Sequence, residues 1–279
     1  MTAPAFIAIL IFVEIPFLMS VTYSFTKWNG LDKVPKLIGF ANYVEILTRD
    51  KDMGTAVTFT LAFTVITVVL TNVIALLLAV ILDSRIRGRN ALRAAFYIPN
   101  IISLIIIGYV WRFIFSRAFD SFSAITHLGL FQLSWLGDSR LAFLSVVLVT
   151  VWQSIGFYMV IYIAGLQTVP KEQLEAAVID GTGTVGRFFR ITLPLIMPSV
   201  TVCLFYSLAN AMKTFDVIYS LTYGGPGSAT TSLALDIYRT AFSDSRFGYG
   251  SAKSVVLFLL IFALTVMQLN AFKRREVEA

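Results

Sequence analysis

Charged residues are scarce in this 279-residue chain: they make up 14% of it, whereas hydrophobic residues make up 57%. A soluble domain of average composition carries about 25% charged residues. So few charges cannot cover the surface of a soluble fold of this length, and the excess apolar surface needs lipid as its solvent. The composition therefore excludes an ordinary soluble protein and predicts an integral membrane protein.

Cysteine and histidine each occur once, as Cys203 and His127. A lone cysteine cannot form an internal disulfide, and a lone histidine excludes a histidine-based metal cluster. The sequence also lacks a G-x-x-x-x-G-K-[ST] phosphate loop, an H-E-x-x-H pair and any Ser-His-Asp or Cys-His arrangement. These absences predict that the chain is not itself an enzyme, binds no metal and needs no cofactor.

The net charge of +6 does not point to nucleic acid, because the basic residues form no long run. They gather in the short connector 83–93, which holds Arg85, Arg87, Arg89 and Arg93, and in the tail at 273–275. Short basic clusters of this kind are typical of the cytoplasmic loops of membrane proteins. We therefore expect a membrane partner and no nucleic acid.

Apolar stretches of about 20 residues, long enough to cross a bilayer, number six. The first is longer than a signal-peptide core and no cleavage site follows it, so we expect a retained helix that Pro16 bends. The pattern predicts an all-α, polytopic fold with one transmembrane domain over 1–279. The expected spans are 3–25, 55–82, 94–115, 141–166, 195–221 and 254–272.

An even number of spans places both termini on one side of the membrane. The basic clusters at 83–93 and 273–275 favour the cytoplasm for that side, which also makes the connector 167–194 cytoplasmic. Lysine and arginine are about equally numerous on the two sides, because loop 27–51 holds five of them. We therefore base the expected orientation, with both termini in the cytoplasm, on the short, dense clusters at 83–93 and 273–275.

The connector 167–194 has the pattern of two short helices joined at Gly181 and Gly183. Pro170 suits the start of the first helix. Such helices are too short to be stable alone, so we expect this connector to dock on another surface. Its apolar stripe follows helical spacing: Leu174, Ala177, Val178 and Gly181.

This connector resembles the "EAA" signature of permeases in binding-protein-dependent ABC importers. Phe188 also fits the fuller pattern, and Thr182 departs from it where alanine is usual. The resemblance implies a type I importer permease fold in which the connector is a coupling helix that sits in a cleft of a separate ATPase subunit. The matching residues, which we expect to couple to the ATPase, are Glu175, Ala176, Ala177, Asp180, Gly181, Ile191, Leu193 and Pro194.

Segments 96–112 and 221–250 are similar to those of maltose-transporter-type permeases for sugars. The resemblance implies transport of a sugar or oligosaccharide across the inner or plasma membrane. It also implies as partners a homologous second permease, two ATP-binding subunits and an external solute-binding protein. The residues expected to contact the binding protein are Tyr223, Gly224, Gly225 and Pro226.

Polar residues inside apolar spans usually face the protein interior or a wet cavity. By resemblance, the fifth span lines the sugar site with Ser207, Asn210, Ala211 and Thr214. The fourth span adds Trp152, Tyr158 and Tyr162, beside Gln153, and the two tyrosines share a helical face. Hydroxyls and amides bind sugar hydroxyls and aromatic rings stack on sugar faces, but helix–helix hydrogen bonds and packing remain the alternative role. Lys213 and Asp216, three residues apart, could pair with each other, and we interpret them as structural or gating residues near the outer end of the span.

Two other functions remain open. A permease of the same type could carry glycerol phosphate, but a phosphate needs basic groups and Lys213 is the candidate in the relevant spans, which favours a neutral sugar. A stand-alone secondary transporter or channel is the alternative from another class. It would have no reason to carry a docking connector of the kind found at 167–194.

Overall fold

The computed structural model describes residues 3–84, 86–126 and 128–273. Arg85, His127, Arg274 and Arg275, which entered the expectations above, lie outside the described residues.

The described chain is helical apart from one small antiparallel hairpin, in which Thr26 pairs with Leu37. This confirms the all-α expectation. The elements in chain order are α1 (Ala3–Tyr23), β1 (Thr26–Lys27), β2 (Lys36–Leu37), α2 (Ala41–Thr48), α3 (Lys51–Asp83), α4 (Arg89–Ile101), α5 (Leu104–Ile125), a 3₁₀ turn (Gly129–Gln132), α6 (Ser139–Gln167), α7 (Lys171–Ile179), α8 (Thr184–Leu195), α9 (Met197–Met212), α10 (Asp216–Leu221), α11 (Leu233–Tyr238) and α12 (Phe247–Lys273).

Four of the described helices, α1, α3, α6 and α12, are long and apolar enough to cross a membrane. The count rises to six, the expected number, if each of the bent pairs α4–α5 and α8–α9 is one span. The expected span 94–115 was wrong as a single helix, since α4 meets α5 at 96°. The expected span 195–221 was wrong as a single helix because α9 ends at Met212 and α10 begins at Asp216, while α8 meets α9 at 72° where that span starts. Prolines near the breaks, Pro99, Pro194 and Pro198, lack the backbone N–H that a continuous helix needs.

Pro16 lies within α1, where the expected irregularity takes the form of a π-helical turn over Leu10–Glu14. The Ile15 N–H donates to the Leu10 carbonyl in this turn. The wider turn accommodates a proline that cannot donate its own hydrogen bond. No part of the membrane-length window of α1 is buried, as expected of a helix whose solvent is lipid.

The interior forms where α3 packs along α6 and α9. Its fully buried side chains include Phe63 on α3 and Val146, Met159 and Tyr162 on α6. Helix α4 lies so close to α6 that a Cβ at Gly156 would overlap the backbone carbonyl of Phe96. Glycine at this position therefore permits the two helices to touch.

The two ends of the helical body are built differently. One end, called the hairpin end, holds the β hairpin, α2 and the segment 222–246, and there the Arg246 guanidinium lies 2.8 Å from the Glu45 carboxylate. The other, called the coupling-loop end, holds α7, α8 and the C-terminal ends of α3 and α6. Gln167 donates to Asp83 across it at 3.4 Å. Helix α3 runs between the two ends.

Candidate functional site

The connector 167–194 folds as its glycines and prolines predict. Pro170 precedes α7 as its N-cap residue, and Gly181 adopts a left-handed backbone with φ of +76° in the turn that leads to α8. Glycine takes this conformation without the steric penalty that other residues meet. A π-helical turn over Phe188–Thr192 then leads into the bend before α9. The expected pair of short helices is confirmed.

The expected apolar stripe of α7 was right only in part. Ala177 is buried and Leu174 is half-buried, but Val178 and Gly181 are exposed. The reason is that α7 ends at Ile179, so Gly181 leaves the helical repeat.

The apolar side chains of this end instead face outwards. Val178, Ile179, Val185 and Phe189 are 55%, 86%, 71% and 61% exposed. They border an open groove of about 760 Å³ whose far wall includes Val80, at the end of α3, and Leu166, at the end of α6. An exposed apolar surface of this kind is typical of a protein–protein contact.

The coupling residues expected from sequence divide into two groups. On α7 and the turn after it, four residues are exposed and Ala177 is buried against the rest of the protein. The exposed residues are Glu175, Ala176, Asp180 and Gly181. Ile191, Leu193 and Pro194 are half-buried where α8 bends towards α9. The fold thus divides the expected residues between an exposed helix with its turn and a half-buried bend.

A second candidate site is a polar cavity of about 340 Å³ between α3, α6 and α9, at the point where α9 stops. Five of the residues expected to bind substrate line it together: Tyr158, Ser207, Asn210, Ala211 and Thr214. Gln153 also lines it, is 7% exposed, and its amide has no hydrogen-bond partner in the described part of the chain. The cavity thus offers unpaired hydrogen-bonding capacity inside a membrane protein.

Aromatic rings form one side of this cavity. Tyr158 and Phe157 on α6 lie beside Tyr206 on α9, with ring centroids 6.4 Å and 5.2 Å from it. Tyr206 is 45% exposed, so part of its ring is open. Amides opposite aromatic faces are the combination that sugar recognition requires.

Tyr162 and Trp152 do not line the cavity. The Tyr162 hydroxyl donates to Asn72 Oδ1 at 2.7 Å, and the Asn72 amide donates to Ser207 Oγ at 2.9 Å. Tyr162 is 1% exposed, so the expected open pair of tyrosines at 158 and 162 is not formed. Trp152 packs edge-on against Trp111, with centroids 5.5 Å apart, and is directed away from the site.

The expected ion pair between Lys213 and Asp216 was wrong. Among the described residues neither side chain forms an ion pair with the other, and both line the cavity. Lys213 follows the last residue of α9 and Asp216 begins α10, so the two residues do not share one helix. The helical spacing on which the expectation rested does not apply across this break.

Sequence reasoning missed several lining residues on the other walls. Thr67 and Thr71 on α3 carried a signal, since polar residues one turn apart in an apolar span usually face inwards. The other polar residues missed are Asn100, Thr150, Ser154 and Tyr206, and the apolar ones are Leu104, Phe157, Phe215 and Val217.

The segment expected to contact a binding protein lies at the hairpin end. Tyr223 is 47% exposed with the Arg239 guanidinium 4.8 Å from its ring centroid, and it has a φ of 51°. Gly224 also has a positive φ, and a cis peptide joins Gly225 to Pro226. The segment is a tightly turned loop, and the Thr230 hydroxyl donates to the Gly225 carbonyl at 2.6 Å.

Comparison with known proteins finds relatives that align with nearly the whole chain. The chain is 41% identical to a probable starch degradation products transport system permease protein, AmyD, of Thermoanaerobacterium thermosulfurigenes, over 99% of this chain and 94% of that protein. It is 32% identical to the trehalose/maltose transport system permease protein MalF of Thermococcus litoralis, over 99% and 93%. It is 31% identical to the multiple sugar-binding transport system permease protein MsmF of Streptococcus mutans, over 96% and 92%.

The fold is similar to that of a solved bacterial alginate ABC transporter chain, described in complex with an alginate pentasaccharide-bound periplasmic protein. The TM-score is 0.81 at 20% identity, covering 98% of this chain and 92% of that one. The profile of the family described as binding-protein-dependent transport system inner membrane component matches residues 87–277. The chain belongs to this family of multi-pass membrane proteins.

Proposed function

We propose that this chain is the permease subunit of an ATP-driven importer and forms the path for a sugar or oligosaccharide. The observation that carries the proposal is the polar cavity between α3, α6 and α9, where the unpaired amide of Gln153 and the aromatic rings of Tyr158 and Tyr206 line the same space. Relatives over 30% identical along nearly the whole chain are named as permeases for starch degradation products (a probable one), for trehalose or maltose, and for multiple sugars. A cavity of about 340 Å³ admits part of an oligosaccharide.

The charges of the cavity favour a neutral cargo over glycerol phosphate. Lys213 and Asp216 line it together, so a cation and an anion offset each other at the same wall. A phosphate would meet the Asp216 carboxylate as well as the Lys213 ammonium. Sugar hydroxyls can donate a hydrogen bond to the carboxylate and accept one from the ammonium.

ATP hydrolysis belongs to a separate subunit that docks on the coupling-loop end. Val178, Ile179, Val185 and Phe189 leave an apolar surface there that a partner would cover. Two such ATPase subunits would serve this permease and a homologous second one. We propose Glu175, Ala176, Ala177, Asp180, Gly181, Ile191, Leu193 and Pro194 as the residues that couple to it.

The orientation follows from the docking. The coupling-loop end is cytoplasmic, as are both termini of the single permease domain 1–279, in the inner or plasma membrane. The hairpin end then faces outwards, where Tyr223, Gly224, Gly225 and Pro226 are placed to meet a solute-binding protein. Closure of the ATPase pair would move α7 and α8, and the bend before α9 would carry that movement to the cavity.

Uptake by proteoliposomes that contain the complete transporter tests this proposal. We expect Gly181→Asp to abolish ATP-dependent uptake, because it places a charge on the docking surface. Gly39→Asp is the matched control: Gly39 also has a positive φ, of +60°, and a Cβ at either glycine meets nothing within 4 Å. Uptake that needs neither ATP nor a binding protein, and is insensitive to Gly181→Asp, would show a secondary transporter or channel instead.

The cargo site has its own test. Asn210→Leu removes an exposed cavity amide, and we expect it to weaken sugar uptake about tenfold without loss of ATPase docking. Trp152→Leu, outside the cavity, serves as the control, and equal effects of the two changes would place the sugar elsewhere.

A further inference from the structure

Helix α3 carries a stripe of four buried threonines. Thr60, Thr64, Thr67 and Thr71 are spaced by four, three and four residues, so they share one face of the helix. They are 0%, 4%, 5% and 1% exposed. The stripe begins near the hairpin end and reaches the polar cavity, whose lining includes Thr67 and Thr71.

Three of these hydroxyls have no hydrogen-bond partner in the described part of the chain: those of Thr64, Thr67 and Thr71. Other threonines of the same helix do form hydrogen bonds: the Thr55 and Thr58 hydroxyls donate to backbone carbonyls four residues earlier. Thr60 accepts a hydrogen bond from the Leu233 N–H at 2.9 Å, which ties the outer end of the stripe to α11.

Unpaired buried hydroxyls destabilise a structure, and more so inside a bilayer where water is absent. Valine would fill nearly the same space without that cost. Three in succession along one helix face, ending at the cavity that also holds the unpaired Gln153 amide, are not explained by packing in this conformation. They indicate a surface that meets polar groups in another conformation.

We propose that Thr64, Thr67 and Thr71 form the wall of the sugar route that leads from the hairpin end to the cavity, and that their hydroxyls bind cargo hydroxyls when that route opens. This inference rests on the proposed transport function. In the conformation described here the three hydroxyl oxygens are closed off, where α3 packs against α6 and α9. The ligand they fit is a neutral polyol, which can donate to and accept from each hydroxyl.

Cysteine accessibility tests the proposal, because Cys203→Ser removes the only cysteine of the chain. In that background Thr64→Cys, Thr67→Cys and Thr71→Cys are made singly, and the whole transporter is treated with a charged methanethiosulfonate reagent. The controls are Val65→Cys and Val69→Cys, whose positions are 62% and 54% exposed on the outside of α3. Labelling rates are compared between nucleotide-free and vanadate-trapped transporter.

We expect the rates at the Thr67 and Thr71 positions to change about tenfold or more between the two states, and those of the controls to stay low and constant. Threonine positions that remain as unreactive as the controls in both states would overturn the proposal. The same preparations and the unchanged transporter are assayed for ATP-dependent uptake: uptake without labelling refutes this inference alone, and absence of uptake in the transporter that keeps Cys203 refutes the proposed function.

A second pair of variants reads out cargo binding. Thr67→Val and Thr71→Val remove a hydroxyl with little change of shape, so we expect folded protein with an uptake KM raised about fivefold, because one hydrogen bond to cargo is lost. Thr67→Ser and Thr71→Ser keep the hydroxyl and should restore the KM. Unchanged uptake in both valine variants would contradict the role in binding.

Discussion

Both ends of this protein expose apolar side chains, such as Leu31 at 85% and Ile179 at 86%, but only the hairpin end, among the described residues, builds a buried network of charged groups. At the hairpin end Lys253 is 2% exposed and its ammonium lies 2.8 Å from Asp50 and 2.7 Å from Asp236. The Tyr249 hydroxyl donates to Asp50 at 2.7 Å, which completes a buried network. At the coupling-loop end, Ile179 and its apolar neighbours are exposed instead.

The chain completes the network at the hairpin end by itself, whereas the groove at the coupling-loop end is where the proposed ATPase subunit would dock. A buried charge is tolerable only when other groups of the same chain satisfy it, as they do around Lys253. This network joins the start of α3, α11 and α12, so it holds the segment 222–246 on the helical body. An apolar surface that stays exposed favours contact with another protein.

The largest effect should come from breaking the network at its centre. Lys253→Met leaves two buried carboxylates facing each other, and we expect the free energy of unfolding to fall by about 3–5 kcal/mol. Chemical unfolding of the purified permease in mixed micelles measures it.

Arg246→Met is the control for that variant, since its pair with Glu45 lies at the same end but is 46% and 39% exposed. An exposed pair contributes about 0–1 kcal/mol. If both variants lost the same free energy of unfolding, burial of the Lys253 network would add nothing to its contribution to stability.

A change at the coupling-loop end should leave stability intact and weaken assembly. Ile179→Asp alters a side chain that is 86% exposed, so we expect unfolding to shift by less than about 0.5 kcal/mol. Retention of the ATPase subunit by tagged permease should fall about tenfold or more, because a charge enters an apolar contact.

Leu31→Asp gives the comparison for that prediction, because Leu31 is 85% exposed at the hairpin end. It should retain the ATPase subunit like the unchanged chain. Loss of the ATPase in both variants would show that the exposed apolar residues of α7 are not a specific docking surface.

The smallest effect concerns pH. Burial raises the pKa of Asp236 above 3.8, its ordinary value, although the hydrogen bond from Lys253 opposes the shift. A raised pKa in the folded state gives stability that is complete below pH 3.8 and is lost as pH rises through the folded-state value. Asp236→Asn should remove this decline and leave Lys253 paired with Asp50.

Unfolding measured from pH 3.8 towards neutrality checks the sign. If the free energy of unfolding of Asp236→Asn declined with the same slope, the pH dependence would come from another titrating group.

Much of this architecture could be predicted from sequence, because apolar run length and the positions of glycine and proline act locally. The coupling connector is the best example, since Pro170 and Gly181 define its helices and turn without reference to the rest of the fold. The break after Met212 could not be predicted, because no proline or glycine lies near it and a hydropathy pattern does not record backbone hydrogen bonds.

The types of residue at the site could be predicted, but which of their side chains reach the cavity could be predicted less well. Helical spacing put Tyr158 and Tyr162 on one face, yet only Tyr158 reaches the cavity, because Asn72 on another helix takes the hydroxyl of Tyr162. Lys253 forms an ion pair with Asp50, although the two residues are far apart in the sequence. Such pairings depend on tertiary packing, which no local pattern records.

Sidedness of the two ends is the most direct test of the comparison. In the Cys203→Ser background, Leu31→Cys and Ile179→Cys place single thiols at positions of nearly equal exposure, 85% and 86%. A membrane-impermeant maleimide applied to intact cells should label the Leu31 position, and the Ile179 position only after the membrane is permeabilised. Labelling of the Ile179 position in intact cells would put the coupling loop outside and contradict its role as the docking surface for a cytoplasmic ATPase.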